Sequence, residues 1–296
     1  MLRLTLLGTG TPAPSLRRQS SGHLVEIGTD VILLDHGPGA HQRLIESGRS
    51  ATQVTHAFFT HLHYDHCLDY ARLVLQRWDM GAGKVPELEV FGPAPIGRMT
   101  ELLFSEDGVF GPDIAARTRH PASLEIFMVR GGVLPRKAPA PRVRELAPGD
   151  IVVAERWRLS VGEARHVQPY LVSLAYRIDT AEGSVCYAGD SGTVFEPIVS
   201  LARRADVLIH MMHYRKGTEP NEAYGNASGN HIDVAHVARR AEVGTLVLTH
   251  MIPALDRPGV REAVIAEMSA IFPGRLVWGE DLMEIPIGAD SHVPID

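Results

Sequence analysis

Short apolar stretches of strand length recur along the chain, each bounded by turn-forming residues: LRLTLL, HLVEI, VILLD, HAFFT, LEVFG, VVAE, WRLSV, LVSLAYRI, SVCYAG, DVLIHM, TLVLTH and RLVWG. Between many of them apolar residues return at threes and fours, the period of a helix with one buried face. This spacing predicts helices over 65–78, 93–104, 232–243 and 261–271. Hairpin-like strands early and in the middle, mixed with strand–helix alternation, predict a layered α/β sandwich rather than a barrel of repeated units. The interval 105–148 departs from the pattern. It is rich in Pro, Arg and Gly (RTRHP, RGGVLPRKAPAPRVRELAPGD) and reads either as a surface excursion or as a lid over a site. With that exception residues 1–296 are expected to form a single domain.

Composition narrows the class. A hydrophobic fraction of 45% and a charged fraction of 22% are those of an ordinary globular protein. No run reaches the roughly 20 apolar residues that span a bilayer, so a cytoplasmic protein with no membrane partner is expected. A formal charge of −6 offers no basic stripe for a phosphate backbone and counts against a nucleic-acid partner. Cys67 and Cys186 stand far apart without a CxxC pair, which predicts buried thiols rather than a disulfide or a sulfur-ligated zinc. A homodimer is expected on base rate alone.

The 15 histidines change the picture. The segment HAFFTHLHYDHCLD places His61, His63, Asp65 and His66 directly after a β-branched and aromatic run. Alternate side chains at a strand end share a face, so His61 and His63 can converge on one ion; a helix start then brings Asp65 and His66 round to a second. Imidazole nitrogen and carboxylate oxygen suit zinc, and equally manganese or iron. A lone histidine is ordinarily structural, but four ligand-type residues within six positions are a constellation.

This HxHxDH run resembles the signature of the metallo-β-lactamase superfamily, and LLGTGTPAPSLRRQSSGHLVEI and VILLDHGPG are similar to the opening strands and Asp-containing turn of its ribonuclease Z-like branch. The resemblance implies a four-layer αββα sandwich and a metal-dependent hydrolase with two divalent ions, zinc foremost and manganese or iron as alternatives. It further implies that His166 in GEARHVQP, Asp190 in VCYAGDSG and His250 in TLVLTHMIP complete the ligand set. His61, His63 and His166 would then hold one ion, and Asp65, His66 and His250 the other, with Asp190 between them. Asp35 would orient ligands, Asp65 would also orient or deprotonate the attacking water, and His231 in HIDVAHVARR takes the place of the branch's extra catalytic histidine.

Two departures bear on the substrate. The branch pairs its extra histidine with a glutamate where Met211 stands here, and a thioether cannot raise the basicity of an imidazole. The branch also inserts a long arm that grips transfer RNA between the strands that here read LVSLAYRI and SVCYAG, where only DTAEG is found. With the acidic balance, these predict a small-molecule substrate with an ester, lactone, phosphodiester or similar bond, cut by a metal-activated hydroxide. A transfer-RNA 3′-processing endonuclease is the alternative, and a non-hydrolytic iron redox enzyme or binding protein a third reading. The loop MMHYRKGTEPNEAYGNASGNH is expected to bring His213 and Tyr214 to the substrate, with Met211 and Met212 as an apolar wall. GTGTPAP lacks the third glycine of GxGxxG and reads as a turn, with Arg17 or Arg18 a candidate anion contact.

Overall fold

The computed structural model describes residues 1–288. The first half of the chain gives β1 (Leu2–Gly8), β2 (Gly22–Ile27), β3 (Asp30–His36), β4 (His56–Phe58), β5 (Glu89–Gly92) and β6 (Arg142–Glu145). The second gives β7 (Ile151–Val153), β8 (Trp157–Glu163), β9 (Leu174–Thr180), β10 (Ser184–Tyr187), β11 (Val207–Met211), β12 (Thr245–Thr249), β13 (Arg275–Trp278) and β14 (Glu284–Ile285). They form two sheets, ordered β14-β1-β2-β3-β4-β5-β6 and β13-β12-β11-β10-β9-β8-β7. Each half starts as an antiparallel meander and continues as parallel strands, from β3 to β6 and from β10 to β13. Parallel strands covered on both faces read as unbroken apolar runs, and every residue of VLIHM and TLVLT is buried.

The helices are α1 (Ala40–Glu46), α2 (Tyr64–Cys67), α3 (Tyr70–Gly81), α4 (Ile96–Phe104), α5 (Gly111–Arg119), α6 (Pro121–Val129), α7 (Glu196–Leu201), α8 (Glu222–Ala227), α9 (His231–Ala241) and α10 (Val260–Ser269). Leu34, Phe58, Leu159, Tyr176 and Ile209 fill the space between the sheets. Leu44, Leu73 and Ile96 seal α1, α3 and α4 onto the first sheet, and Ile198, Val234 and Val264 seal α7, α9 and α10 onto the second. The result is the expected four-layer αββα sandwich. Among the described residues no helix is long and apolar enough to cross a membrane.

Two local features differ from the sequence pattern. The helix expected over 65–78 is broken after Cys67, because the Asp69 carboxylate turns back to accept the N–H groups of Gly39 and His41. The break lets α2 present its residues separately from α3. In 105–148 the prolines start helices rather than interrupt them: α5 and α6 each carry Pro in the first turn, where its missing N–H costs nothing. The segment is fastened to α3, and β6 lies beside β5. Arg117, Arg130 and Arg136 converge on Asp79, and the Arg136 guanidinium lies 4.1 Å from the Trp78 ring centroid and 5.0 Å from that of Phe127. The Arg136 side chain is only 3% exposed, so Asp79→Ala strands a buried cation and is expected to cost about 3 kcal/mol. Urea unfolding checks this; a midpoint equal to wild type would mean the arginines find other partners.

Candidate dinuclear metal centre

The side chains singled out after β4 gather with others from strand ends on one rim of the sandwich. His61, His63, Asp65 and His66 follow β4, His166 follows β8, Asp190 follows β10 and His250 follows β12. The carboxyl ends of parallel strands form such a crevice because the chain there leaves the sheet towards helices on opposite sides. Two groups result: His61, His63, His166 and Asp190 in one, Asp65, His66 and His250 in the other.

Distances within the first group are 3.0 Å from His61 Nε2 to His63 Nδ1 and 3.2 Å from His166 Nε2 to His63 Nδ1. In the second, His250 Nε2 and His66 Nε2 lie 3.2 and 3.5 Å from Asp65 Oδ2. Asp190 Oδ2 belongs to both, at 4.0 Å from His61 Nε2, 3.6 Å from His166 Nε2, 3.5 Å from His66 Nε2 and 3.3 Å from His250 Nε2. Four ligands at zinc–nitrogen distance on a tetrahedron stand about 3.3 Å from one another. The spacing therefore fits one cation in each group with the Asp190 oxygen in common. His66 Nε2 and Asp190 Oδ1 are buried without a hydrogen-bond partner, as expected of atoms whose partner is an ion.

The outer nitrogens fix how the rings point. His66 Nδ1 lies 2.7 Å from Asp35 Oδ2, His166 Nδ1 2.7 Å from the Ala227 carbonyl, His61 Nδ1 3.1 Å from Thr60 Oγ1 and His250 Nδ1 3.0 Å from His213 Nδ1. Each partner can accept a proton, and with N–H on the outside the Nε2 lone pair faces inward. Asp35 also accepts the Thr60 N–H, the Thr60 hydroxyl and the Tyr187 hydroxyl, at 2.7, 2.8 and 2.8 Å. Asp35 and His250 both adopt a left-handed backbone, with φ of 59° and 57°, a conformation kept where surrounding contacts impose it.

Electrostatics agree with a site built for positive charge. Burial would raise the Asp190 carboxyl, but His250 and His66 hold it well below its ordinary value. The Asp65 carboxyl likewise stays low against burial through His250 and His66. Burial disfavours a proton on His66, yet Asp190 and Asp35 raise its affinity well above that of a free imidazole. A proton there occupies the place of a cation, and binding a cation would expel it. Burial pushes the His213 imidazole down to about 4, so it stands beside His250 as a neutral ring.

The remaining candidates are placed differently from expectation. His231 has both nitrogens engaged: Nδ1 accepts the Lys216 N–H at 3.1 Å and Nε2 donates to Glu267 Oε2 at 2.5 Å. In this arrangement it has neither a lone pair nor a proton to offer a substrate. Tyr214 is buried and packs on Tyr224, with ring centroids 5.3 Å apart. Met212 lies in the core, and the Met211 sulfur accepts the Ser191 N–H at 3.1 Å, beside Asp190, so the pair forms no wall for a ligand. Arg17 pairs with Glu280, and Arg18 is buried on Asp256, so neither is a free anion contact. Thr60, Tyr187, Ala227 and Glu267 escaped the sequence reading. Only Thr60, next to His61, had a position that could have signalled its role.

Two further buried histidines make a pH prediction. His23 stands edge-on to Tyr187 with ring centroids 4.7 Å apart and both nitrogens unpartnered, and burial pushes it down to about 3; His210 is likewise pushed down to about 4. Unfolded imidazole takes up a proton near 6.5 that the folded rings refuse. Stability of the metal-free protein is thus intact above that pH and falls towards pH 4, by about 1.4 kcal/mol per unit for each ring. Urea midpoints at pH 7 and 5 should differ less in His23→Met than in wild type. Equal differences would refute the assignment.

Comparison with known proteins agrees with this centre. The family model of the Metallo-beta-lactamase superfamily matches residues 16–250, a span that contains every residue of the two groups. The chain is 31% identical to a protein named ribonuclease Z from Mycobacterium bovis, over 97% of this chain and 99% of that one, and 30% identical to another of that name from Mycolicibacterium gilvum, over 97% and 96%. In structure it is similar to the metallo-beta-lactamase fold protein YhfI from Bacillus subtilis (TM-score 0.73, 17% identity, covering 96% and 98%). It is also similar to the short form of human tRNase Z (TM-score 0.67, 21% identity, covering 96% and 99%). Sequence likeness across the length and a common fold lead to one assignment: the chain belongs to the metallo-β-lactamase superfamily, a hydrolase family that binds divalent metals, in its ribonuclease Z-like branch.

Proposed function

We propose that this hydrolase cuts a phosphodiester with two divalent ions, zinc foremost, one held by His61, His63, His166 and Asp190 and the other by Asp65, His66, His250 and Asp190. The observation that carries the reading is the convergence of four imidazoles, whose outer nitrogens all have partners and whose Nε2 atoms all stand within 4.0 Å of one carboxylate oxygen. Ions bound there supply a water that ionises near neutral pH and polarise the substrate's oxygens. Asp65, its carboxylate kept ionised against burial by His250 and His66, would help hold one ion and would serve as the proton acceptor. Asp190 stays ionised at the centre, and Asp35 keeps His66 in the ligating tautomer.

The name carried by the mycobacterial relatives supports a phosphodiester over a lactone or carboxylic ester. A small diester is favoured by the tight turn between β9 and β10, which leaves no arm there, and by the charge of −6. The relatives themselves favour a second reading, transfer RNA precursor, and tell against the expectation that nucleic acid is disfavoured. A relative named ribonuclease Z is matched over 99% of its own length, so overall length does not set this chain apart from it. A cytoplasmic setting accompanies either reading, given two buried, unpaired cysteines.

The readings separate by experiment. Zinc-loaded protein offered bis(4-nitrophenyl) phosphate, a cyclic nucleotide and a transfer RNA precursor is expected to turn over the small diesters and leave the RNA intact. Cleavage of the precursor at its 3′ side would establish the second reading instead. Hydrolysis of lactones or carboxylic esters with no diester turnover would overturn both.

A further inference from the structure

Both ligand groups lean on one stretch of chain. Residues 212–230 run from the end of β11 through α8 to the start of α9, and they supply the acceptors for two ligands. His213 stands on His250 Nδ1, and the Ala227 carbonyl accepts from His166 Nδ1. One of these ligands belongs to each group, so the position of this stretch sets the aim of both.

Its ends are tied to the second sheet and to itself. Met212 N–H donates to the Thr249 carbonyl, His213 N–H to the Gly229 carbonyl, and Tyr214 pairs with Asn230. The part between is fastened to α9 and α10. Arg215 Nη2 lies 2.5 Å from Glu267 Oε1, and the other oxygen of Glu267 accepts from His231 Nε2 at 2.5 Å. The far side of the same imidazole accepts the Lys216 N–H, and the Lys216 ammonium reaches Asp233 at 3.2 Å. A single carboxylate thus grips the stretch twice, directly through Arg215 and through the His231 ring to the Lys216 backbone. His231 is 1% exposed and has no freedom to choose another partner, whereas Glu267 lies at the surface end of the pair with its carboxyl held low by His231 and Arg215.

We propose that Glu267 on α10 is a positioning residue for the metal centre, acting through His231 and Arg215 on residues 212–230 and so on the aim of His166 and His250. The assignment rests on the metal-centre reading above. It gives His231 a positioning role rather than contact with substrate. It also answers the absence of a carboxylate at Met211: the acid that holds this histidine comes from a helix 36 positions later in the chain. Because the ligands keep their own side chains, its loss should shift metal affinity and ligand geometry without removing a site. Losing a partner of a ligating histidine costs 10–100-fold in metal affinity, and a partner one step further out should fall near the low end, about tenfold.

The test uses metal-free full-length protein titrated with cobalt(II), read by absorption in the visible d–d region and by calorimetry, beside its thermal midpoint without metal. Glu267→Ala is expected to bind cobalt about tenfold more weakly than wild type and with altered d–d bands, while Glu267→Asp recovers part of both. Glu262→Ala, which removes the cap of α10 at Gly259 but touches none of these residues, controls for loosening of the helix and should leave the bands unchanged. His231→Ala added to Glu267→Ala should weaken binding little further, since the two act as one unit. Wild-type affinity and bands in Glu267→Ala would overturn this inference alone, as would the same band change in Glu262→Ala. Failure of the wild-type protein to bind cobalt would overturn the metal-centre reading, and this inference with it.

Discussion

Asp190→Ala is expected to purify with less than one equivalent of metal and to lose more than about 10²-fold in diester hydrolysis, beyond the range seen when only an outer partner of a ligand is removed. The reason is that one oxygen, Oδ2, stands within 4.0 Å of a nitrogen from each of His61, His66, His166 and His250. Among the described residues no other carboxylate reaches both groups; Asp65 contacts His66 and His250 alone among the ligating histidines. Asp65→Ala should therefore keep the metal of the His61, His63 and His166 group and fall to about one equivalent, although its activity is also lost. Elemental analysis of the two variants beside wild type makes the comparison. Two equivalents retained in Asp190→Ala would refute the shared vertex, and identical losses in both variants would show that the two groups fill only together.

How much of this was legible in the sequence follows from the range over which each feature is encoded. The strands were legible because burial on one or two faces imposes a local pattern, and HAFFT, SVCYAG and TLVLT end directly at ligands. The ligands themselves were legible because catalytic residue types cluster at those ends. Their supports were not. The Ala227 carbonyl is a backbone atom that any residue could supply, and it meets His166 across 61 positions; Tyr187 meets Asp35 across 152. Nothing in the spacing connects Glu267 to His231. The break between α2 and α3 was hidden for the same reason, since helical periodicity runs straight through Leu68 and Asp69 while the carboxylate that ends it points at the α1 entry. In 105–148 composition alone does not show that Pro112 and Pro121 stand in the first turns of α5 and α6. Three of the arginines there are paired with Asp79, a partner that local composition does not reveal.

Asp35→Asn changes no more than one oxygen to an amide nitrogen, and its expected effect is nonetheless large. The native carboxylate receives four donors: the Thr60 N–H on Oδ1, and the Thr60 hydroxyl, the Tyr187 hydroxyl and His66 Nδ1 on Oδ2. An amide has one oxygen and two N–H groups, so whichever way it turns, its nitrogen faces donors. If it faces Thr60 N–H, one buried backbone group is left unpaired. If it faces the other three, two hydroxyls can rotate away, but His66 must give up its outer proton and shift it to Nε2, where the metal belongs. Either outcome costs stability through an unsatisfied buried group, about 1–3 kcal/mol. The second outcome also costs metal affinity at the Asp65, His66 and His250 group by about 10–100-fold. Cobalt titration should resolve the two sites, with the weaker one lowered and the His61, His63 and His166 site close to wild type. An unchanged pair of affinities would mean that the tautomer of His66 is set by the ion itself and not by Asp35.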